Sequence, residues 1–135
     1  MASNADISAW IALFIGLYAL AAGTGELRNP NSWWTMLKEL ERGPALRLVS
    51  GLAALAVGAA IYLVNPWIGG DWLSIAVSVV GGIAVAEGLL IIAAGERFLH
   101  LGRMLLGRGG HIWAGVSVLF GIAAILAALS RLQMA

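Results

Sequence analysis

The chain has no cysteine, which excludes disulfides, thiolate metal sites and thiol chemistry. Charge is scarce too: charged residues are 11 % of the 135 residues, where a soluble globular protein carries roughly a quarter. The net charge of +1 provides no concentrated basic face for nucleic acid. No Lys or Arg precedes the first apolar run in MASNADIS. The basic region of a cleavable signal is therefore missing, and the first hydrophobic segment is expected to stay in the mature protein. There is no nucleophile–base pair, phosphate-binding glycine loop or deep His/Asp cluster, so neither catalysis nor a cofactor is expected. The two histidines, His100 and His111, are not deep in an apolar run and lack compact ligand spacing, which argues against metal or haem.

What the chain has is hydrocarbon. Hydrophobic residues make up 61 % of it, and the mean hydropathy is +0.91. A particle this small cannot hide that much apolar surface from water, so lipid is the expected solvent. Four apolar stretches, 7–25, 46–64, 73–95 and 112–129, each approach the ~20 residues that cross ~30 Å of hydrocarbon as a helix. They lack the alternation of a barrel wall. A backbone in lipid must satisfy its own hydrogen bonds, so the expected fold is all-α, a four-helix transmembrane bundle in one domain.

The basic residues give it a direction. Arg28, Lys38, Arg42 and Arg47 lie around the first connection, and Arg97, Arg103 and Arg108 in the last. The turn NPWIGGDW between them has none, and Arg131 alone lies in the tail. The positive-inside rule then places both charged connections in the cytoplasm and both termini outside it. Trp10, Trp67 and Trp72 would anchor the outer interface, and Trp33, Trp34 and Trp113 the inner one. Lys38, Arg42, Arg97, Arg103 and Arg108 form a rim suited to lipid headgroups.

The connections have helical periodicity. In NPNSWWTMLKELERGP, Trp33, Trp34, Met36, Leu37 and Leu40 share one face and Lys38, Glu39, Glu41 and Arg42 the other. Asn31 or Ser32 can cap its start, and Gly43-Pro44 stops it. A short interfacial helix is expected here. ERFLHLGRMLLGRGG is similar, and would either lie in the interface or prolong the third span. Within it Glu96 and His100, four apart, are expected to form an ion pair.

Small residues recur on every span at steps of three and four: Gly16, Ala19, Gly23; Gly51, Ala54, Gly58; Gly81, Ala84, Gly88; and Gly121, Ala124, Ala128. In lipid, helices associate by close backbone approach along such stripes, so these residues are the expected packing seams. Their seven-residue repeat favours left-handed crossings. A shift of 65 residues lays IGLYALAAG on VGGIAVAEG, while the second spans need a one-residue slip. Span, connecting helix, span thus reads as a duplicated unit, 7–64 and 73–129, with any internal axis along the membrane normal.

Glu87 is the exception to the hydrocarbon. It is the one charge in seventeen residues, Val79–Gly95, and lies ~12 Å along the helix from Gly95. A carboxylate at that depth is expected to face the bundle interior and to be held neutral or given a donor. Tyr18, at similar depth on the first span, is the expected partner. Glu87 and Tyr18 are thus the candidate intramembrane polar site, in one of two roles: locking helices or subunits together, or carrying a proton or cation.

The order W-I-A-L, N-P-N-S-W-W, a short helix and L-R-L-V-S-G resembles small two-span bacterial inner-membrane proteins of unknown function. Trp10, Gly23, Pro30, Trp33, Arg47 and Gly51 carry that resemblance, which covers about half the chain. In the second half Gly95-Glu96 stands where Pro30-Asn31 would, and no Arg precedes Gly115. Size and a lone membrane Glu are also similar to small multidrug-resistance transporters, although there the acid belongs to the first span. The resemblances imply a duplicated hairpin unit and no activity. The chain is accordingly expected to be a non-enzymatic accessory, assembly or scaffold subunit, partnered by lipid and by other membrane subunits or itself. The alternative is a small oligomeric channel or proton-coupled transporter using Glu87.

Overall fold

The computed structural model describes residues 4–107 and 109–133. Among them the chain is all-helical: α1 (Asn4–Arg28), α2 (Ser32–Arg42), α3 (Pro44–Val64), α4 (Trp72–Leu106) and α5 (Gly110–Gln133). The four long helices are long and apolar enough to cross a membrane, and each contains one expected span. Local chemistry sets their ends. Pro44 opens α3, where its missing N–H costs nothing. Asp71 caps α4 by accepting from the Leu73 N–H at 3.2 Å. The turn between α3 and α4 uses Gly70 at φ 86°, and Gly107 at φ 48° stops α4, backbone states that glycine adopts without a Cβ clash.

The second connection settles between its two expected forms. Glu96–Leu106 continues α4, but Ala94 has non-helical angles, φ −139° and ψ 43°, so the segment beyond it is an arm set off by a kink. The break adjoins Gly95, where a Cβ would lie 2.7 Å from Cδ of Arg47.

Packing is pairwise: α1 lies along α5, and α3 along α4. Spans joined by the longer connections, α1 with α3 and α4 with α5, make almost no contact. The small-residue stripes are the seams. A Cβ on Gly16 would lie 2.8 Å from the Gly121 carbonyl oxygen, and one on Gly23 would lie 2.7 Å from that of Ala114. Seven residues forward on α1 is seven back on α5, the signature of an antiparallel pair. In α3 and α4 the same crossing joins Gly58 to Gly81 and Gly51 to Gly88, at 2.7 and 3.0 Å. Gly16, Gly23, Gly51, Gly58, Gly81, Gly88, Gly121 and Ala128 are all buried.

In the two crossings Gly16 and Gly23 hold places equivalent to those of Gly81 and Gly88, 65 residues on, while Gly51 and Gly58 hold places equivalent to those of Ala114 and Gly121, 63 residues on.

The pairs join where α1 meets α4. Ala9, Ala12, Leu73, Val77 and Ala128 form the core there, at the end of the bundle that carries the α3–α4 turn. Toward the other end, the α2 end, a groove of about 760 Å³ separates α1 from α3 and α4, lined among others by Phe14, Tyr18, Ala54, Val80 and Ala84. Ala124 lines a smaller groove of about 200 Å³ between α1, α4 and α5. Ala19 is half-buried, and its carbonyl accepts from Ser117 Oγ at 2.8 Å.

Candidate functional site

Glu87 and Tyr18 do not meet. No hydrogen bond joins them among the described residues; Tyr18 is 77 % exposed at the groove, and Glu87 is exposed on α4. The buried contact between α1 and α4, through Ala9, Ala12, Leu73 and Val77, lies at the turn end, well before Glu87. Glu87 is exposed and faces outward, contrary to the expectation that it turns inside. It lies about 22 Å along the helix from Trp72, and among the described residues no side chain hydrogen-bonds to it.

Two polar networks that the sequence reading did not assemble close the bundle ends. At the turn end Asn65, 4 % exposed, is the hub. Its Oδ1 accepts from Ser8 Oγ at 2.6 Å, and its Nδ2 donates to the Ser74 carbonyl at 2.9 Å and to Ser78 Oγ at 2.7 Å. Ser74 Oγ donates to the Pro66 carbonyl and accepts from the Ile68 N–H. Arg131 then ties α5 to the start of α4: Nη2 is 2.7 Å from Asp71 Oδ1, and the guanidinium lies over the Trp72 ring. That hydrogen bond and charge hold the Asp71 carboxyl below the usual carboxylate range, against the opposing effect of burial. The visible signal was a set of Ser and Asn residues at one end of three spans.

At the α2 end three acidic side chains meet basic or N–H groups. Glu26, buried at the end of α1, accepts from the Asn31 N–H at 2.8 Å, Ser32 Oγ at 2.9 Å and the Trp33 N–H at 2.8 Å. A carboxylate at a helix N-terminus satisfies orphan donors and complements the dipole. Glu26 thus supplies the cap expected of Asn31 or Ser32; Asn31 is left-handed, φ 74°, and its side chain makes no cap bond. Arg47 serves the opposite end of α2. Its Nη1 donates to the Leu40 carbonyl at 3.3 Å and to the Glu41 carbonyl, and its Nη2 stands 3.6 Å from Glu96. Glu96 therefore faces Arg47 instead of the expected His100.

Glu41 holds α2 to the arm of α4, with Arg103 at 3.1 Å and His100 at 3.9 Å. Lys38 and Arg103 both lie over the Trp34 ring, 4.5 and 5.6 Å from its centroid. Two members of the expected headgroup rim, Lys38 and Arg103, are thus engaged within the protein. Arg42 and Arg97 have no ion pair among the described residues, and Arg108 lies outside them. Trp10, Trp67 and Trp72 lie at the turn end, and Trp33, Trp34 and Trp113 at the α2 end. Trp113 Nε1 donates to the Leu105 carbonyl at 3.2 Å. No group of three or more potential metal ligands occurs among the described residues.

Comparison with family models, curated proteins and solved structures gives no match to this chain.

Proposed function

We propose that this chain is a small non-enzymatic protein of a bacterial inner membrane, an accessory, assembly or scaffold subunit of a larger complex or homo-oligomer. In this reading the α2 end is cytoplasmic, both chain ends are outside, and α2 and the arm of α4 lie at the inner interface. The charge bias, the two tryptophan groups and the four apolar helices support that orientation. One observation carries the functional reading. Glu87 is exposed on a span, at hydrocarbon depth, without a hydrogen-bond or ion-pair partner among the described residues. A charged group there costs at least about 2.5–3.5 kcal/mol on the lenient insertion scale, a cost that a donor on a neighbouring subunit relieves. Docking helices through that face explains why the acid points outward.

The test is gentle purification from the native membrane with a photoreactive residue at Ile83 or Leu90, both exposed beside Glu87. Under this reading these positions crosslink to a defined membrane partner or a second copy, and Glu87→Leu abolishes the product. Crosslinks indifferent to Glu87 would defeat it. The exposure of Glu87 on its span also supports a second reading, an oligomeric channel or proton-coupled transporter in which copies of Glu87 face a shared path, which predicts proteoliposome flux that Glu87→Gln removes.

A further inference from the structure

The contact between α2 and the arm of α4 contains a carboxylate oxygen in an unusual position. One Glu41 oxygen, Oε2, takes Arg103 at 3.1 Å. The other, Oε1, is buried and has no hydrogen-bond partner among the described residues. A buried acceptor left unpaired forfeits the hydration it would have in water. Beside it, 3.9 Å away, is Nδ1 of His100, and that nitrogen is 3.2 Å from Nη2 of Arg103. Arginine has only donors, so Nδ1 accepts from Arg103 and carries no proton in this arrangement. A ring nitrogen cannot accept from Arg103 and donate to Glu41 at once.

We propose that Glu41, His100 and Arg103 form a proton-operated latch, in which protonation of His100 tightens the docking of α2 on the arm of α4. A proton on Nδ1 ends its bond from Arg103 and turns it into a donor whose nearest unsatisfied acceptor is Glu41 Oε1. The carboxylate then holds two cations, one on each oxygen. His100 is mostly exposed, so the proton comes from water and the ring has room to close the remaining gap. Histidine is the side chain suited to this change between about pH 5 and 8.

The surroundings define what the latch moves. From α2, Glu41 faces His100, and Lys38 shares the Trp34 ring with Arg103. From α3, Arg47 reaches the neighbourhood through Glu96. α4 itself brings Glu96, Arg97 and Arg103; Glu96 and Arg97 line the same shallow pocket as Glu41 and His100. The arm begins just past the kink at Ala94, where the backbone angles leave the helical range. The docked form takes up the proton, hence docking strengthens as pH falls.

The absence of cysteine makes the test direct. The full chain carrying Glu39→Cys and Leu101→Cys, both exposed positions, is spin-labelled in phosphatidylcholine nanodiscs, and the distance distribution is measured at about pH 8 and about pH 5.5. The ratio of docked to undocked populations is expected to rise by about tenfold at the lower pH. His100→Gln and Glu41→Gln should each flatten that rise. An unchanged ratio in the labelled parent chain would overturn the latch. So would a full pH response surviving in His100→Gln, which as an exposed substitution is expected to fold.

Discussion

Gly58 and Gly81 stand backbone to backbone: a Cβ on the first would lie 2.7 Å from the carbonyl oxygen of the second, and the converse distance is 3.1 Å. The relationship is reciprocal, and Gly51 with Gly88 and Gly16 with Gly121 repeat it. Lipid tails are as apolar as leucine, so little hydrophobic drive holds two such helices together; what does is dispersion across a seam too narrow for a side chain. The glycines therefore set how closely paired helices approach and in which register they lie.

Gly58→Ala should destabilise the chain by about 1–3 kcal/mol, the usual cost of overpacking, because backbone rather than a flexible side chain must give way. Gly82, one residue from the seam, has nothing within 4 Å of its Cβ position. Gly82→Ala should be neutral or stabilising by up to about 1 kcal/mol through helix propensity. Unfolding of the two variants by increasing SDS in mixed micelles separates them.

The four spans were legible because about twenty apolar residues in a row admit few readings, and the seam residues because small side chains recurred every seven positions. Which stripe meets which was not. Gly16, Gly51, Gly81 and Gly121 present the same flat surface to any partner, so pairing α1 with α5 depends on geometry that sequence spacing does not encode. Arg47 and Gly95 illustrate another gap, since a guanidinium crossing to the end of α2 needs a missing side chain forty-eight residues away. Glu87 is legible by its cost in lipid, but its direction is not, because an acid satisfied by a second subunit has no need to face its own bundle.

The Asp71–Arg131 pair should make stability depend on pH in the acid range. Arg131 holds the folded-state carboxyl below its ordinary 3.8. A depressed value means the contribution is fully present above the unfolded value and is lost as pH falls through the folded one. Thermal unfolding in detergent between about pH 5 and 2 should show that loss. Asp71→Asn keeps a capping side chain and removes the charge. It should cost about 1.5–3 kcal/mol at neutral pH and flatten the acid slope.

Glu26→Gln should loosen the start of α2. The amide keeps one acceptor but presents an NH₂ group to a site built of donors, so about 1.5–3 kcal/mol is at stake. Amide exchange at Asn31 and Trp33 should accelerate by about ten- to a hundredfold, with the four long helices unaffected. Equal acceleration along α1 would show instead that Glu26 supports the whole bundle.

Asn65→Leu is expected to be among the most damaging changes at the turn end. It leaves Ser8, Ser78 and the Ser74 carbonyl without their buried partner, at about 1–3 kcal/mol for each group that water cannot reach. Asn65→Asp retains the acceptor for Ser8 but loses both donated bonds, so it too should unfold at lower SDS than the parent chain. Ser78→Ala removes only one branch and should cost about 1 kcal/mol.

Glu87 gives the prediction in which stability and function part company. An acid with no partner among the described residues does nothing for the isolated fold, while its burden in lipid persists. Glu87→Leu should therefore raise the resistance of the purified, isolated chain to SDS unfolding, by about 1–3 kcal/mol on the insertion scale. Glu87→Gln, still polar but never charged, should gain less. In the native membrane the order reverses: the leucine variant loses the photocrosslinked partner, and the glutamine variant retains it to the extent that hydrogen bonding, rather than charge, makes the contact. Stability selected for alone would have removed this residue, so a gain in the isolated chain with a loss in the membrane identifies Glu87 as an intermolecular group. A fall in stability on Glu87→Leu would instead locate its partner within the same chain, and the docking face would have to be sought elsewhere.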